Sequence, residues 1–518
     1  MTKQTFIKGA MILLAAGIIN RLLGFVPRIA LPRIIGAEGV GLYQLSYPFL
    51  TVMLTVITGG IPLAITKWTA EAVSRGDSSR VKQIFRTAMA LTIVLAVIMT
   101  AALLLLAEWI TKHVLTDPRV YQSFLVMTPL MLIIGISSVY RGYFQGKQNM
   151  IPSATSQIVE TVIRIIGSLT FASMLLPRGI EWAAAGAMLG VVVGEVGALA
   201  VLLWTYIKER TKLKHANEHN DSPDEKNITV LRRLLDLSIP VTGSRMVGSL
   251  SYLLESILTA RSLAAAGIAT GTATALYGSL QGMIIPLLLL PTALTFSLAS
   301  SLVPSLSEAA ARGDKATIHK RMHQSMRLAL VAGAPFVVVM WLFAEPICRI
   351  MYNHADIAPM LKLMAPVGIF VYLQAPLQAA LQALNKPGTA LMNTFIGAAV
   401  KLMLITMLAS KPELGIYGAL IAINVNIVLV TILHGISVLR FIGFHMQVMD
   451  FVKVGAAMLI MGAAASWIMN TKPLTLEWIN LILACFISMI IYLVLMVIMK
   501  IIDRYDMARI PLLGQWFK

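Results

Sequence analysis

The sequence predicts an all-α polytopic membrane protein with fourteen transmembrane helices. Of its 518 residues, 58% are hydrophobic and 13% are charged, about half of the roughly 25% charge found in average soluble domains. The mean hydropathy is +0.80, and stretches of the ~20 apolar residues that cross a bilayer recur along the chain. This composition excludes a disordered chain, a coiled coil, a secreted disulfide scaffold and an ordinary soluble enzyme.

The spans can be assigned in chain order. The first follows two lysines and contains no small-residue cleavage site, so we expect a retained span. Its roughly thirty residues exceed the ~30 Å hydrocarbon core, so Pro27 and Pro32 are predicted to bend it. The stretch 262–307 holds no charged residue, and its Pro286, Pro291 and Pro304 predict a kinked helix. The fourteen predicted spans lie near 7–34, 42–66, 84–110, 120–144, 152–175, 181–207, 230–261, 273–305, 322–344, 357–380, 388–409, 414–438, 450–469 and 477–500.

The excess of basic residues predicts the orientation. The chain has 42 lysines and arginines against 24 acidic residues, and most of the basic residues fall in segments that share one predicted side of the membrane. Cytoplasmic loops are enriched in lysine and arginine, so we expect a multi-pass protein of the cell membrane with both termini cytoplasmic. The excess of lysine and arginine is therefore explained by the orientation of the chain in the membrane. For this reason no nucleic-acid partner is predicted. Cys348 and Cys485 are expected to be packing residues.

An internal repeat at an offset of 237 residues gives the domain plan. The pattern Glu-Ala-x-x-Arg-Gly-Asp begins at Glu71 and again at Glu308. The copies are six spans apart and so face the same side, which predicts two parallel six-helix lobes plus two C-terminal helices. Transporters with a central site between lobes use such repeats. The same register pairs Gln145 with Gln382 and Arg164 with Lys401. The predicted domains are an N-lobe at 1–207, a charged cytoplasmic linker at 208–229, a C-lobe at 230–440, and helices 13 and 14 with a cytoplasmic tail at 441–518.

The repeated motif has two interpretations. In the structural one, each copy is a short amphipathic helix on the cytoplasmic face that a glycine ends, and Glu71–Arg75 and Glu308–Arg312 are i,i+4 ion pairs. In the functional one, these four residues gate the cytoplasmic mouth of a transport path.

Ionisable residues inside the spans are the candidates for function, because they are costly there and commonly mark a substrate path. Arg21 and Arg245 lie in the first helix of each predicted lobe, and Arg164 and Lys401 are repeat equivalents. Glu160 lies four residues before Arg164, so these two can instead neutralise each other. Cations placed around a cavity suit an anionic substrate, above all a pyrophosphate, which arginine binds bidentately. The other candidates are Arg28, Glu195, Glu255 and Arg261, of which Arg28 and Arg261 lie near the outer ends and can reach the interface.

Other signals for chemistry are weak. His319 and His323 are spaced like zinc ligands, but no glutamate follows His319, and a solvated helix face explains both. We predict no metal, no cofactor and no enzymatic activity, since the chain contains no P-loop, Gly-x-Ser-x-Gly or Cys-x-x-Cys motif and no paired acids in its outer loops.

Several segments resemble the multidrug/oligosaccharidyl-lipid/polysaccharide (MOP) exporter superfamily. They are Asn-Arg-Leu-Leu-Gly-Phe from Asn20, Arg-Ile-Ile-Gly-Ala from Arg33 and Val-Pro-Ser-Leu-Ser-Glu from Val303. Within it, the opening Lys-Gln-Thr-Phe-Ile-Lys-Gly and the Gly-Val-Gly-Leu-Tyr from Gly39 resemble the stage V sporulation protein B group, relatives of the MurJ-type lipid II flippases. The resemblance covers essentially the whole chain and implies a MATE/MurJ-like fold.

The resemblance also implies an activity: flipping of an undecaprenyl-pyrophosphate-linked saccharide, a peptidoglycan or spore-cortex precursor, across the cytoplasmic membrane by alternating access. Arg21 matches the family's first-helix arginine. Other family arginines align with Pro27, with Val52 and Met53, and near Gln281, so the headgroup residues differ from those of enterobacterial flippases. The expected headgroup site comprises Arg21, Arg245 and Lys401, with Arg164, Gln281 and Arg28 in support.

Alternatives remain at this stage. The same superfamily contains cation-coupled multidrug exporters, which would be expected to carry unpaired acids in the cavity. A lipid-linked glycosyltransferase would be expected to carry paired outer carboxylates, and a sporulation scaffold would transport nothing. The expected partners of a flippase are the lipid-linked saccharide, the bilayer and the cell-wall or spore-cortex synthesis machinery. Either the membrane potential or a coupling ion could drive its resetting.

Overall fold

The structure is a computed structural model that describes residues 6–213, 227–471 and 475–501. Helices make up almost all of this part of the chain, and it contains no strand. Its nineteen α-helices are α1 (Phe6–Leu23), α2 (Phe25–Thr58), α3 (Ile61–Ser74), α4 (Ser78–Trp109), α5 (Tyr121–Gly146), α6 (Ile151–Leu175), α7 (Ile180–Leu213), α8 (Asn227–Ala265), α9 (Thr270–Gly278), α10 (Ile285–Leu289), α11 (Thr292–Ala311), α12 (Lys315–Leu342), α13 (Ala344–Tyr352), α14 (Ala358–Met364), α15 (Gly368–Ala383), α16 (Pro387–Leu408), α17 (Ile416–Ile442), α18 (Val448–Thr471) and α19 (Glu477–Ile498).

Twelve stretches of the described residues are long and apolar enough to cross a membrane. This confirms the predicted all-α membrane protein, but it does not confirm the count of fourteen spans. The difference has two sources. One stretch, Met11–Ser74, is 64 residues long and contains two predicted spans, and α8, which holds the span predicted at 230–261, is not among the twelve.

The first predicted span, 7–34, is broken just before Pro27, and a second bend lies between it and the next predicted span. A break at Gly24 separates α1 from α2, and Gly36 within α2 has a φ of 68°. That left-handed conformation is open to glycine because it lacks a Cβ. Pro32 is helical, and Pro27 lies in the first turn of α2, where a missing N–H loses no helical hydrogen bond. The predicted bend therefore lies three residues before Pro27, whereas Pro32 lies inside α2 and marks no break.

The uncharged segment 262–307 is interrupted as its prolines predict. A π-helical stretch, Ser279–Ile284, follows α9 and leads into α10, whose second residue is Pro286. Pro291 directly precedes α11. Because proline lacks the N–H that continues a helix, it is tolerated in the first helical turn, and each interruption here starts a new helix. The kink is confirmed.

Helix packing divides the chain into two compact units. The first comprises Met1–Met283 and Ala409–Ile416, and the second Ile284–Leu408 and Tyr417–Lys518. The helices α8 and α9, which the repeat assigns to the C-lobe, belong to the first unit by this measure. The lobe boundaries drawn from the repeat remain a prediction.

Within the first unit, α6 and α7 pack so closely that glycine is required between them. A Cβ built on Gly190 of α7 would lie 2.0 Å from the Ser168 amide nitrogen of α6, and one on Gly186 would lie 2.5 Å from the Phe171 carbonyl oxygen. The Ser168 hydroxyl donates across this contact to the Ala187 carbonyl at 2.9 Å. Backbone-to-backbone contact of this kind fixes the register of the two helices.

The second unit is held by buried tyrosines that bond to the backbone of neighbouring helices. Tyr372 of α15 donates to the Leu288 carbonyl of α10 at 3.0 Å. Tyr492 of α19 donates to the Val331 carbonyl of α12 at 3.1 Å. Cys348 is buried in this unit and forms no disulfide among the described residues, in keeping with a packing role.

The repeated motif has the same local geometry in both copies. Gly76 and Gly313 have φ values of 74° and 68°, and each follows a helix end, where a left-handed glycine allows the chain to turn. The next residue caps the following helix: Asp77 accepts from the Arg80 amide at 2.8 Å, and Asp314 accepts from the Thr317 amide at 3.0 Å. The i,i+4 ion pairs form in both copies, Glu71 with Arg75 and Glu308 with Arg312.

Candidate functional site

Four charged side chains meet between α5, α6 and α7 of the first unit. Glu160 accepts from two arginines, with one carboxylate oxygen 3.0 Å from Nη2 of Arg141 and the other 3.1 Å from Nη1 of Arg164. Glu195 lies 3.9 Å from the same Arg141 nitrogen. Both carboxylates are largely buried, with side-chain exposures of 12% for Glu160 and 9% for Glu195. We call these four residues the ion cluster.

The local sequence explains how the ion cluster assembles. Glu160 and Arg164 are one helical turn apart on α6, so they face the same side. Gly194 of α7 lies against that turn, since a Cβ there would be 2.8 Å from the Arg164 Cβ and 2.9 Å from the Glu160 carbonyl oxygen. The close approach brings the next residue, Glu195, to the carboxylate of Glu160.

The charges of the ion cluster balance, but its hydrogen-bonding capacity is not used up. Two acids face two arginines, which offsets part of the cost of burying charge in a membrane-spanning segment. Among the described residues, Nε of Arg141 and one carboxylate oxygen of Glu195 are buried without a hydrogen-bond partner. Arg164 is 31% exposed. Arg164 is therefore the arginine of the ion cluster that can donate to an additional polar or anionic group.

A group of tyrosines adjoins these charges. Arg28 of α2 and Arg164 of α6 both lie within electrostatic range of the Tyr43 hydroxyl. The Tyr43 and Tyr47 rings have centroids 6.0 Å apart, and Tyr252 of α8 interacts with both tyrosines and with Arg28. Tyrosine hydroxyls and arginines together offer donors for phosphate and sugar oxygens.

A second polar contact lies on α8 and the π-helical stretch after α9. The Gln281 side chain donates to the Glu255 carboxylate at 2.8 Å, and Glu255 is 7% exposed. Glu255 also interacts electrostatically with Tyr252 and Tyr277. Gln281, which the family alignment marked as the position of an arginine, thus serves here as the partner of a buried acid.

The predicted headgroup residues are distributed over both units. Arg28 and Arg164 both lie within electrostatic range of Tyr43, and Gln281 bonds Glu255 in the same unit. Arg21 on α1 and Arg245 on α8 are exposed. Lys401 is buried, with 8% exposure, on α16 of the second unit. Their joint action on one substrate stays a prediction.

Sequence reasoning missed Arg141. It lies five residues before the end of α5, next to a predicted cytoplasmic loop, and was therefore counted with the basic residues that orient the chain. Its contact with Glu160 joins residues 19 positions apart on different helices, a relation that no helical spacing reveals. The Glu160–Arg164 pair was predicted, because both residues lie on one helix.

A further polar network joins α2, the start of α5 and α9 at the opposite end of this unit from the repeated motif. Arg119 bonds Glu38 at 2.7 Å and Asp117 at 2.8 Å, and Thr274 donates to Asp117 at 2.8 Å. Burial by itself raises the pKa of the Asp117 carboxyl, but the hydrogen bonds from Arg119 and Thr274 outweigh burial and hold this pKa below its ordinary value. Arg261 similarly donates to the His113 and Val114 carbonyls. In the part of the chain that the structure describes, no group of three or more His, Cys, Asp or Glu residues could hold a metal ion.

Comparisons with known proteins identify the family and the relatives of this chain. A family model described as polysaccharide biosynthesis protein matches residues 6–310, and one described as MatE matches residues 246–408. Stage V sporulation protein B of Bacillus subtilis (strain 168) is 41% identical over 516 residues, which cover 99% of each chain. Lipid II flippase MurJ of the same organism is 26% identical over 493 residues, 91% of this chain and 88% of the relative.

Solved structures show the same fold. Lipid II flippase MurJ in an inward closed conformation matches with a TM-score of 0.70 at 14% identity, covering 94% of this chain and 98% of that one. A multidrug resistance MATE family transporter in an inward-facing conformation matches with a TM-score of 0.64 at 15% identity, covering 82% of this chain and 94% of that one. At these identities the likeness concerns the fold alone, and the fold is that of MATE and MurJ transporters.

Proposed function

The chain belongs to the polysaccharide biosynthesis protein family of the MOP exporter superfamily, and on this basis we propose that it flips an undecaprenyl-pyrophosphate-linked saccharide across the cytoplasmic membrane. The substrate class is a peptidoglycan or spore-cortex precursor resembling lipid II. The observation that carries the proposal is the set of arginines and tyrosines inside membrane-spanning helices of the first unit. The relationship to a lipid II flippase supports it.

In this proposal the arginines bind the pyrophosphate. A guanidinium donates two parallel hydrogen bonds to phosphate oxygens and stays charged at any physiological pH. Arg28 and Arg164 share the surroundings of Tyr43, and Arg21, Arg245 and Lys401 complete the predicted set. The saccharide needs neutral donors and acceptors, which the tyrosines around Glu255 provide. The polyprenyl chain stays in the lipid while the headgroup crosses.

Glu160 has a role in the same proposal as the internal counter-ion. When no headgroup is bound, its two oxygens hold Arg141 and Arg164. A pyrophosphate carries more than one negative charge and competes with Glu160 for Arg164, the more exposed of the two arginines. Binding then requires no new buried charge beyond the substrate itself, and release restores the ion pair.

Alternating access completes the proposed cycle. The headgroup site opens to the cytoplasm, closes around the headgroup and opens to the outside, and the empty protein returns. The membrane potential acts on the charge that moves with the pyrophosphate, and either this potential or an ion gradient resets the protein. The activity makes and breaks no covalent bond in the substrate, and both termini are cytoplasmic.

The test is a flipping assay in vesicles. The purified protein is reconstituted with fluorescent lipid II, and a membrane-impermeant reagent reports the lipid that has crossed. We expect wild-type protein to flip lipid II and Arg21→Ala to lose flipping while it still reaches the membrane. Phosphatidylcholine with the same fluorophore is the control for leaky vesicles. Full flipping by Arg21→Ala would remove Arg21 from the site, and no flipping of any pyrophosphate-linked saccharide would overturn the function.

A second candidate function is export of cationic small molecules. The match of residues 246–408 to the MatE model favours it. It requires acids that are available to a cation, whereas Glu160 is bonded to two arginines and Glu255 to Gln281. Drug susceptibility of a deletion strain distinguishes the two functions, because only an exporter changes it directly.

A further inference from the structure

A cavity of about 690 Å³ lies between α4 and α8 of the first unit, away from the ion cluster. Lys82 and Arg86 line one end, and Ala90, Leu91 and Val94 line the other. Steps of four residues keep these side chains in one row along α4. No acidic side chain occurs among the described residues that line this cavity. We call it the α4 groove.

The α4 groove is amphiphilic along its length. Lys82 and Arg86 are exposed near the start of the helix, at the end predicted to face the cytoplasm. Twelve residues separate Lys82 from Val94, or about 18 Å at 1.5 Å per residue. Val94 is 55% exposed, and Ile98, one turn further, is 52% exposed. The apolar end therefore continues into the lipid-facing surface of α4.

The opposite face of α4 is already used for packing. Val81, Ile84 and Ala88 are buried in a core shared with α3, α5 and α8. The groove face is bounded only in part by α8, where the Gln83 side chain donates to Asn227 at 2.9 Å. The groove is therefore a built feature beside a well-packed helix, and not a sign of loose packing around α4.

In the second copy of the repeat, neighbouring helices cover the face of α12 that corresponds to the groove face of α4. His323 of α12 lies 3.3 Å from the Asp450 carboxylate of α18, and the Val331 carbonyl accepts from Tyr492 of α19. These contacts cover in the second unit the helix face that lines a cavity in the first. At the offset of 237, Lys82, Arg86 and Val94 correspond to His319, His323 and Val331.

We propose that the α4 groove binds one anionic phospholipid. Its phosphate lies at Lys82 and Arg86, and an acyl chain runs past Leu91 and Val94 into the bilayer. Basic pockets between membrane helices on the cytoplasmic side suit anionic headgroups. Lys82 and Arg86, with no acid among the described residues that line the groove, favour a negatively charged headgroup. The apolar end distinguishes a lipid from a free phosphate. The bound lipid covers α4 as α18 and α19 cover α12.

Native mass spectrometry of the full-length protein in detergent tests this site. The probes are phosphatidylglycerol and phosphatidylcholine with identical acyl chains. We expect the wild type to retain phosphatidylglycerol preferentially, and Lys82→Gln/Arg86→Gln to bind it about thirtyfold more weakly, the scale of losing two basic contacts to an anionic surface. Phosphatidylcholine binding should not change. An excess of inorganic phosphate should not displace the lipid.

Two further variants keep the test decisive. Lys315→Gln/Lys320→Gln removes two exposed cations from the start of α12 and should leave phosphatidylglycerol binding as in the wild type. Ala90→Phe fills the apolar end and should weaken long-chain more than short-chain phosphatidylglycerol. Equal retention of both lipids by the wild type, equal losses in both double variants, or displacement by inorganic phosphate would each overturn the proposal. None of these outcomes depends on whether the protein flips lipid II.

Discussion

Glu160 is the residue on which the ion cluster depends, because its two carboxylate oxygens bond different arginines. Glu71 and Glu308 form i,i+4 pairs of the same kind in the repeated motif, but in solvent. A buried pair that loses one partner leaves an uncompensated charge, whereas an exposed pair is replaced by water. A Glu–Arg ion pair therefore contributes much more to stability in the buried ion cluster than in the exposed repeated motif.

We expect Glu160→Gln to destabilise the protein by about 3 kcal/mol, since Arg141 and Arg164 are then left with one carboxylate between them. Glu71→Gln is the matched control, and it should change stability by less than about 0.5 kcal/mol. Both are measured by unfolding in mixed micelles of rising sodium dodecyl sulfate content. Glu160→Gln/Arg164→Gln should recover part of the loss. Equal destabilisation by Glu160→Gln and Glu71→Gln would contradict the larger contribution to stability that we expect from the buried ion cluster.

The Asp117 carboxylate makes the stability of the protein depend on pH in the acidic range. Its folded-state pKa is lowered from an ordinary value of about 3.9, so its contribution is present above the unfolded pKa and is lost as pH falls through the folded pKa. We expect the thermal stability of the wild type to fall below about pH 4, and Asp117→Asn to show a weaker pH dependence and lower stability at neutral pH. Glu413→Gln, in another loop, is the control. If Asp117→Asn lost thermal stability at low pH just as the wild type does, the loss would be due to other titrating groups.

At the scale of the element, glycines decide how close α6 and α7 lie. We expect Gly190→Ala to destabilise by about 1–3 kcal/mol, the range for overpacked interiors, because its Cβ would meet the Ser168 backbone at 2.0 Å. Gly248→Ala, in α8, is the control, since a Cβ there meets nothing within 4 Å and alanine favours helix. Thermal unfolding of the purified proteins measures both. If Gly190→Ala were as stable as the wild type, α6 and α7 could move apart without loss of stability.

The same scale shows what the sequence could predict. Apolar length and proline positions gave the helices and the broken segment around Pro286, because these depend on local chain properties. The bend at Gly36 lies between the first two predicted spans, but its conformation was not predicted, since the residues around this glycine carry no sign of its φ value. Arg141 was missed for the same reason at the site: the contact with Glu160 depends on how α5 packs beside α6, and helix packing is not encoded in spacing along one helix.

At the scale of the whole molecule, the repeat is the main organising feature, and its two copies have diverged. The turn after the motif, with its left-handed glycine and aspartate cap, is the same in both. The ion cluster is not: at the offset of 237, Glu160 corresponds to Gly397, Glu195 to Ile432 and Arg164 to Lys401. The second copy thus has no carboxylate at the two positions that correspond to Glu160 and Glu195. In the first copy Glu160 can balance the charge of Arg164, whereas the equivalent Lys401 of the second copy has a glycine at the position that corresponds to Glu160.

The repeat also makes a prediction about topology. Six predicted spans separate the two copies of the motif, so Arg75→Cys and Arg312→Cys should both react with an impermeant thiol reagent from the cytoplasmic side only. Lys411→Cys, in the exposed loop before α17, should react only from outside. The background lacks Cys348 and Cys485, so each protein carries one thiol. Labelling of intact cells and of inverted vesicles distinguishes the sides. Reaction of Arg75→Cys and Arg312→Cys from opposite sides would contradict parallel lobes, and reaction of both from outside would reverse the predicted orientation while leaving the lobes parallel.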